Sequence, residues 1–105
     1  MNAYCRFEIL LPLTFNDGRL VPSGFLADAA AEIQAQFGGV SWESQAIEGI
    51  WRAGGVQYRD RLNRIFVDAE DTDENRHFFI SLKERLKSRF EQLDIWLTVH
   101  PIEVL

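Results

Sequence analysis

From Cys5 to Leu13 the chain alternates. Cys5, Phe7, Ile9, Leu11 and Leu13 fall on one side, and Arg6, Glu8 and Leu10 on the other. A period of two is the mark of a strand with one buried face. Pro12 sets its end near a sheet edge or loop, and Asn16-Asp17-Gly18 supplies turn chemistry. After Ser23 the period changes. Leu26, Ala29, Ala30, Ile33 and Phe37 recur at helical spacing, and Gly38 is placed to cap the end in the left-handed conformation. The spacing predicts a first helix over roughly residues 24–37. A second strand follows from Val40 to about Ala53, Gly54-Gly55 makes a two-residue turn, and a third strand runs from Val56 to about Ala69.

A second helix opens in "EDTDENRHFF". Asp71 with Glu74 three residues on forms a capping box, and Asp73 adds negative charge where the helix dipole favours it. Phe78, Phe79, Leu82, Leu86, Phe90 and Leu93 make its apolar stripe, and Lys83, Arg85, Lys87 and Arg89 load its far half with the opposite charge. The last strand covers Ile95 to about Val99. The order βαββαβ predicts a ferredoxin-like α+β domain spanning residues 1–105, a four-stranded antiparallel sheet with both helices on one face.

The stretch "GIWRAGGVQYRDRL" at 49–62 carries most of the functional information. With Gly54-Gly55 as the turn, Ala53 opposes Val56, Trp51 opposes Tyr58, Gly49 opposes Asp60, Glu48 opposes Arg61 and Ile47 opposes Leu62. Opposed residues share a face, so Ile47, Gly49, Trp51, Tyr58 and Leu62 lie together. Continued unbroken, the register sets Trp42 against Val67 and Ser44 against Ile65, on the other face. Ile65 and Val67 belong under the helices, so the aromatic tip faces away from them, with Leu10, Phe66 and Trp96 on the same open side. Strands of this length would span about 45 Å, against about 17–20 Å for an ordinary strand. The tip therefore protrudes as an arm, unless a bulge near Ala46–Ile47 breaks the strands and swaps the facing. Exposed aromatic surface of this kind marks an interface, with Ile47, Gly49, Trp51, Tyr58, Leu62, Phe66 and Trp96 as its members. Gly49 leaves a notch between Ile47 and Trp51; a bulge is its other reading.

The segments "GIW…GG…YRD…R…VD" and "LK…RFEQLDIW" resemble a family of small uncharacterised bacterial domains, over roughly residues 47–97. The resemblance implies a ferredoxin-like fold and no established activity.

Composition narrows the alternatives. A chain of 105 residues with 47% hydrophobic and 26% charged residues suits one globular domain with a core of its own. A lone cysteine, Cys5, in a core strand reads as a buried small hydrophobe in a reducing, cytoplasmic setting. No run reaches the length of a membrane span and no leader is legible. A net charge of −5 and the lack of an aromatic-rich RNA-binding strand motif argue against nucleic acid, although Phe66 and Trp96 would suit base stacking. The acidic run Asp68, Glu70, Asp71, Asp73 and Glu74 lacks EF-hand spacing, and three of its acids serve the helix start, so no metal or cofactor is expected. His77 reads as solvated.

Two functions remain. One is association, as a homodimer or with a protein partner, through the open face and the 47–62 arm. The other is a small-molecule or enzymatic site of the dimeric α+β barrel type, using His100, Tyr58, Asp60, Arg64, Arg6 and Glu8. Trp51→Ala is expected to shift a dimer towards single chains without unfolding, read by light-scattering mass; an unfolded variant would place Trp51 in the core.

Overall fold

The computed structural model describes residues 3–43 and 45–105. Along the chain come β1 (Tyr4–Pro12), α1 (Ser23–Phe37), β2 (Ser41–Trp42), β3 (Ile47–Ala53), β4 (Val56–Glu70), α2 (Asp73–Arg89) and β5 (Trp96–Ile102). β4 pairs with β1 along one edge and with β2 and then β3 along the other, and β5 flanks β1; every pairing is antiparallel. This is the ferredoxin-like α+β arrangement that the order of elements predicts, with its second strand divided in two.

The alternation of β1 works as read. Cys5, Phe7, Ile9 and Leu11 are buried, and Ile65, Val67 and Ala69 of β4 lie beside them on the same face. Ala29 and Ile33 of α1 and Phe79, Leu82 and Leu86 of α2 close over this layer. Phe7 and Phe79 stack with ring centroids 4.4 Å apart, and Phe37 stacks on Phe79 at 5.4 Å. Burial of these aliphatic and aromatic groups is the main term holding the helices to the sheet.

The helix ends bring two corrections. Gly38 does adopt the left-handed cap of α1, at φ 83°, donating to Gln34 O at 2.7 Å. At α2, however, the cap is Thr72, whose Oγ1 accepts from Asn75 N at 3.1 Å. Asp71 is held outside the helix, its N–H donating to Ala3 O and its carboxylate taken by Arg76 at 2.6 Å. Leu93 is not part of the stripe. Phe90 caps α2, Glu91 turns the chain at φ 55°, and Leu93 lies beyond on an exposed loop.

The hairpin has the expected register, from Ala53↔Val56 to Ile47↔Leu62. Gly54 and Gly55 sit at φ 59° and 78°, the positive pair that a type I′ turn demands. Beyond it the strand does break. Trp42 pairs with Ile65, not Val67, so four residues (43–46) oppose only two (63–64). Ser44, expected opposite Ile65, lies outside the described residues. The surplus is two, an even number, so the break shifts register without swapping faces. Trp51 and Tyr58 remain on the open side while Trp42 shares the helix side with Ile65. β4 runs on past the end of β1; beyond the bond from Leu13 N to Arg61 O only β3 lies beside it among the described residues, and the molecule reaches 45 Å along its longest axis.

Phe79 is 1% exposed and stacks on two rings. Phe79→Ala is expected to cost about 3–5 kcal/mol, seen as a matching loss in urea unfolding; a loss under about 1 kcal/mol would mean that the core refills the space.

Candidate functional site

Opposed residues of an antiparallel sheet form rows across it, and the open face of this sheet is ordered row by row. His100, Arg6 and Asp68 make one row, Thr98, Glu8, Phe66 and Ser41 the next, then Trp96, Leu10 and Arg64, and then Pro12, Leu62 and Ile47. Asp60 with Gly49 and Tyr58 with Trp51 continue the pattern along the arm.

Charge gathers on the first three rows. Arg6 makes a bidentate pair with Asp68, at 2.8 and 3.0 Å. Arg64 reaches Glu8 at 3.0 Å with one terminal nitrogen and Glu43 at 2.8 Å with the other. Both guanidiniums lie over the Phe66 ring, 4.5 and 4.8 Å from its centroid, an arrangement in which the ring quadrupole favours the cations. Glu8 Oε2 stands 3.9 Å from His100 Nε2, which is 2.7 Å from Thr98 Oγ1. Arg64 Nε is buried without a hydrogen-bond partner among the described residues. A buried donor left unpaired is costly.

The structure thus brings together Arg6, Glu8, Arg64 and His100 of the expected polar cluster. Asp60 and Tyr58 are on the same face, but four and six residues back along β4 from Arg64, about 13 and 20 Å away. Burial pushes the Asp60 carboxyl up from its ordinary value. Glu43, Asp68 and Thr98 join the cluster unforeseen. Thr98 and Asp68 could have been found by extending the rows; Glu43 could not, because it stands at the break.

Among the apolar residues expected at an interface, the chain itself uses several. Leu62 is only 7% exposed, flanked by Pro12 on one side and Ile47 on the other. Phe66 is half-buried beneath its two arginines. The notch at Gly49 is filled by the chain's own tryptophan, a Cβ there meeting Trp51 Cζ3 at 3.1 Å. Trp51, Tyr58 and Trp96 stay substantially exposed. The Cys5 thiol is buried, which pushes it up from the usual thiol value, and donates to Ala69 O. His77 is exposed.

Asp68 and Asp71 of the acidic run are engaged by different arginines, and no three His, Cys, Asp or Glu side chains among the described residues converge as a metal cluster would require. The best-formed depressions hold about 150 and 130 Å³. The first is lined by Leu11, Val21, Leu26 and Phe90, the second by Phe7, Arg76, Ile80 and Leu97, so both belong to the helix side. They are smaller than the roughly 300 Å³ at which ligand pockets begin. No helix among the described residues is long and apolar enough to cross a membrane.

Hydrogen bonds from Arg6 hold the Asp68 carboxyl below the ordinary carboxylate range. The pair therefore stabilises the fold above the unfolded value of about 4 and ceases to do so as pH falls through the lowered folded value. Both side chains are 34% exposed, so solvent screening keeps the effect small. Asp68→Asn is expected to lessen the loss of urea-unfolding midpoint between neutral pH and about pH 3; an unchanged pH dependence would mean the pair contributes nothing.

No protein-family model matches the chain, and no curated protein matches it in sequence. Solved structures do match in shape. A phage SAM lyase in complex with S-methyl-5′-thioadenosine superposes with a TM-score of 0.72 at 14% identity, over 96% of this chain and 83% of that one. The divalent cation tolerance protein CutA1 of Thermus thermophilus gives 0.66 at 17% identity, over 97% and 86%. CutA1 of Oryza sativa gives 0.67 at 13%, over 99% and 84%. At these identities the likeness is one of fold, the ferredoxin-like α+β architecture that this chain shares with both groups.

Proposed function

We propose that this chain is a homo-oligomeric small-molecule-binding domain. The charged rows of the open sheet face form the floor of its site, and a second copy supplies a wall. One observation carries this reading: Arg6, Glu8, Glu43, Arg64, Asp68 and His100 gather around the Phe66 ring on the open face, while the best-formed hollows of a single chain lie on the helix side and are too small for a ligand. Charged groups interlocked over an aromatic ring offer hydrogen bonds, and the guanidinium planes of Arg6 and Arg64 offer a stacking surface. The depth that the face lacks would come from association through the exposed aromatics of the arm, Trp51 and Tyr58.

The fold shared with a SAM lyase whose structure holds S-methyl-5′-thioadenosine supports a nucleoside-like ligand, with a flat base to stack and hydroxyls to bond. Association with no small ligand at all is the second reading, favoured by the exposure of Trp51, Tyr58 and Trp96.

Calorimetric titration with S-methyl-5′-thioadenosine, and with adenosine beside it, tests the proposal. Saturable binding of either is expected, weakened about tenfold or more by Arg64→Ala through the loss of charge-assisted hydrogen bonds. Absence of binding by both, or binding indifferent to Arg64→Ala, would overturn the ligand site and leave association as the function.

A further inference from the structure

We infer that two copies join through the outer edge of β3, paired antiparallel with itself about a two-fold axis through Ile50. This deepens the proposed oligomeric reading and rests on it. Among the described residues β3 pairs with β4 alone, so one edge of a seven-residue strand stands open. Its backbone phase can be deduced. Ladder pairs alternate between hydrogen-bonded and non-bonded, and a two-residue turn closes on a bonded pair. Counting back from Ala53↔Val56, the residues Trp51, Gly49 and Ile47 spend their N–H and C=O on β4, while Arg52, Ile50 and Glu48 direct theirs outward. An independent bond fixes the same phase. Arg61, the partner of Glu48, gives its carbonyl to Leu13 N at 2.9 Å on the β1 side, so the pair Glu48↔Arg61 is a non-bonded one.

Three outward-facing residues centred on Ile50 are what a two-fold pairing requires. Ile50 would exchange N–H and C=O with Ile50 of the second copy, and Glu48 with its Arg52, once on each side of the axis. That register sets opposite charges against each other twice, on the face away from Trp51. On the open face it sets Gly49 against Trp51 of the second copy in a close non-bonded pair. The exposed Trp51 and Tyr58 side chains of both copies, each Trp51 lying over Gly49 of its own strand, would then meet across the axis. All seven residues of β3 are used. The same count carries the Gly54–Gly55 turn of the second copy to the level of Gln45 and Ala46, where pairing with β4 lapses, close to Glu43 and Arg64. No proline, lysine or bulge interrupts the edge between Ile47 and Ala53, and its two charged residues, Glu48 and Arg52, are the ones this register sets against their opposites.

The test is mass by analytical ultracentrifugation over a concentration series. Ile50→Pro removes only an outward N–H, and proline is tolerated on an open edge; the variant is expected to keep its circular dichroism and sediment as a single chain. Glu48→Arg and Arg52→Glu should each weaken the dimer about tenfold or more, since like charges then face each other twice. An equimolar mixture of those two variants should recover it, because one chain then carries arginine at both positions and the other carries glutamate at both. A wild-type chain that forms trimers, or dimers indifferent to Ile50→Pro and to the charge reversals, overturns this interface while the ligand site can still be found by titration. A wild-type chain that remains single at all concentrations overturns the interface and the oligomeric reading together.

Discussion

The ladder between β1 and β4 governs both faces of the sheet. It runs from Tyr4↔Glu70 to Pro12↔Leu62 without a slip, so a single parity decides what each residue does. Odd positions of β1 and β4 go under the helices and even positions go to the open side. Phe7 finds Phe79 because of that parity, and Arg6 finds Asp68 for the same reason. The core and the charged rows are two readings of one hydrogen-bonded register, and neither could shift without the other.

β4 then does something β1 does not: it continues. Where β1 ends, β3 takes over as its neighbour, and Leu62 is the residue at which the two overlap, paired on both sides. That double flanking explains why an apolar residue on the open face is nevertheless buried. Beyond it the arm rests on one pairing and one turn. Its backbone is well specified, because Gly54 and Gly55 adopt conformations that few other residues tolerate, while the outer edge of β3 has no strand beside it among the described residues.

The sequence disclosed the parts governed by strong local rules. Alternation in β1, helical spacing in α1 and α2, and the glycine pair all have few competing interpretations, and the hairpin register follows from the turn alone. The remainder depended on competition between equals. Asp71 and Thr72 are both good caps, and the choice fell to Thr72 because the Asp71 backbone was already bound to Ala3 and its carboxylate to Arg76. Leu93 fits the spacing of α2, but the chain leaves the helix at Glu91 without a glycine to announce it. The break at 43–46 contains no proline or glycine, so nothing local revealed it, and Glu43 went unnoticed as a partner of Arg64. The polar side of the open face was legible as a set of neighbours; that Phe66 lies beneath two guanidiniums, and so is no free anchor, required the side chains themselves.

The two surplus residues at the break have a consequence for how this chain tolerates changes of length. A strand presents its side chains with period two, so an insertion or deletion of two residues there would lengthen or shorten the loop and leave the arm as it is. A change of one, if the β2 and β3 pairings were each to stay bonded to β4, would be absorbed as loop slack. If β3 instead slid by one along β4, its side chains would trade faces, with Trp51 moved away from Tyr58 and Glu48 and Arg52 brought to the aromatic side. Because the Gly54–Gly55 turn sets the hairpin register by itself, such a slide is disfavoured, and length variation at the break is taken up by the loop while the open face stays intact.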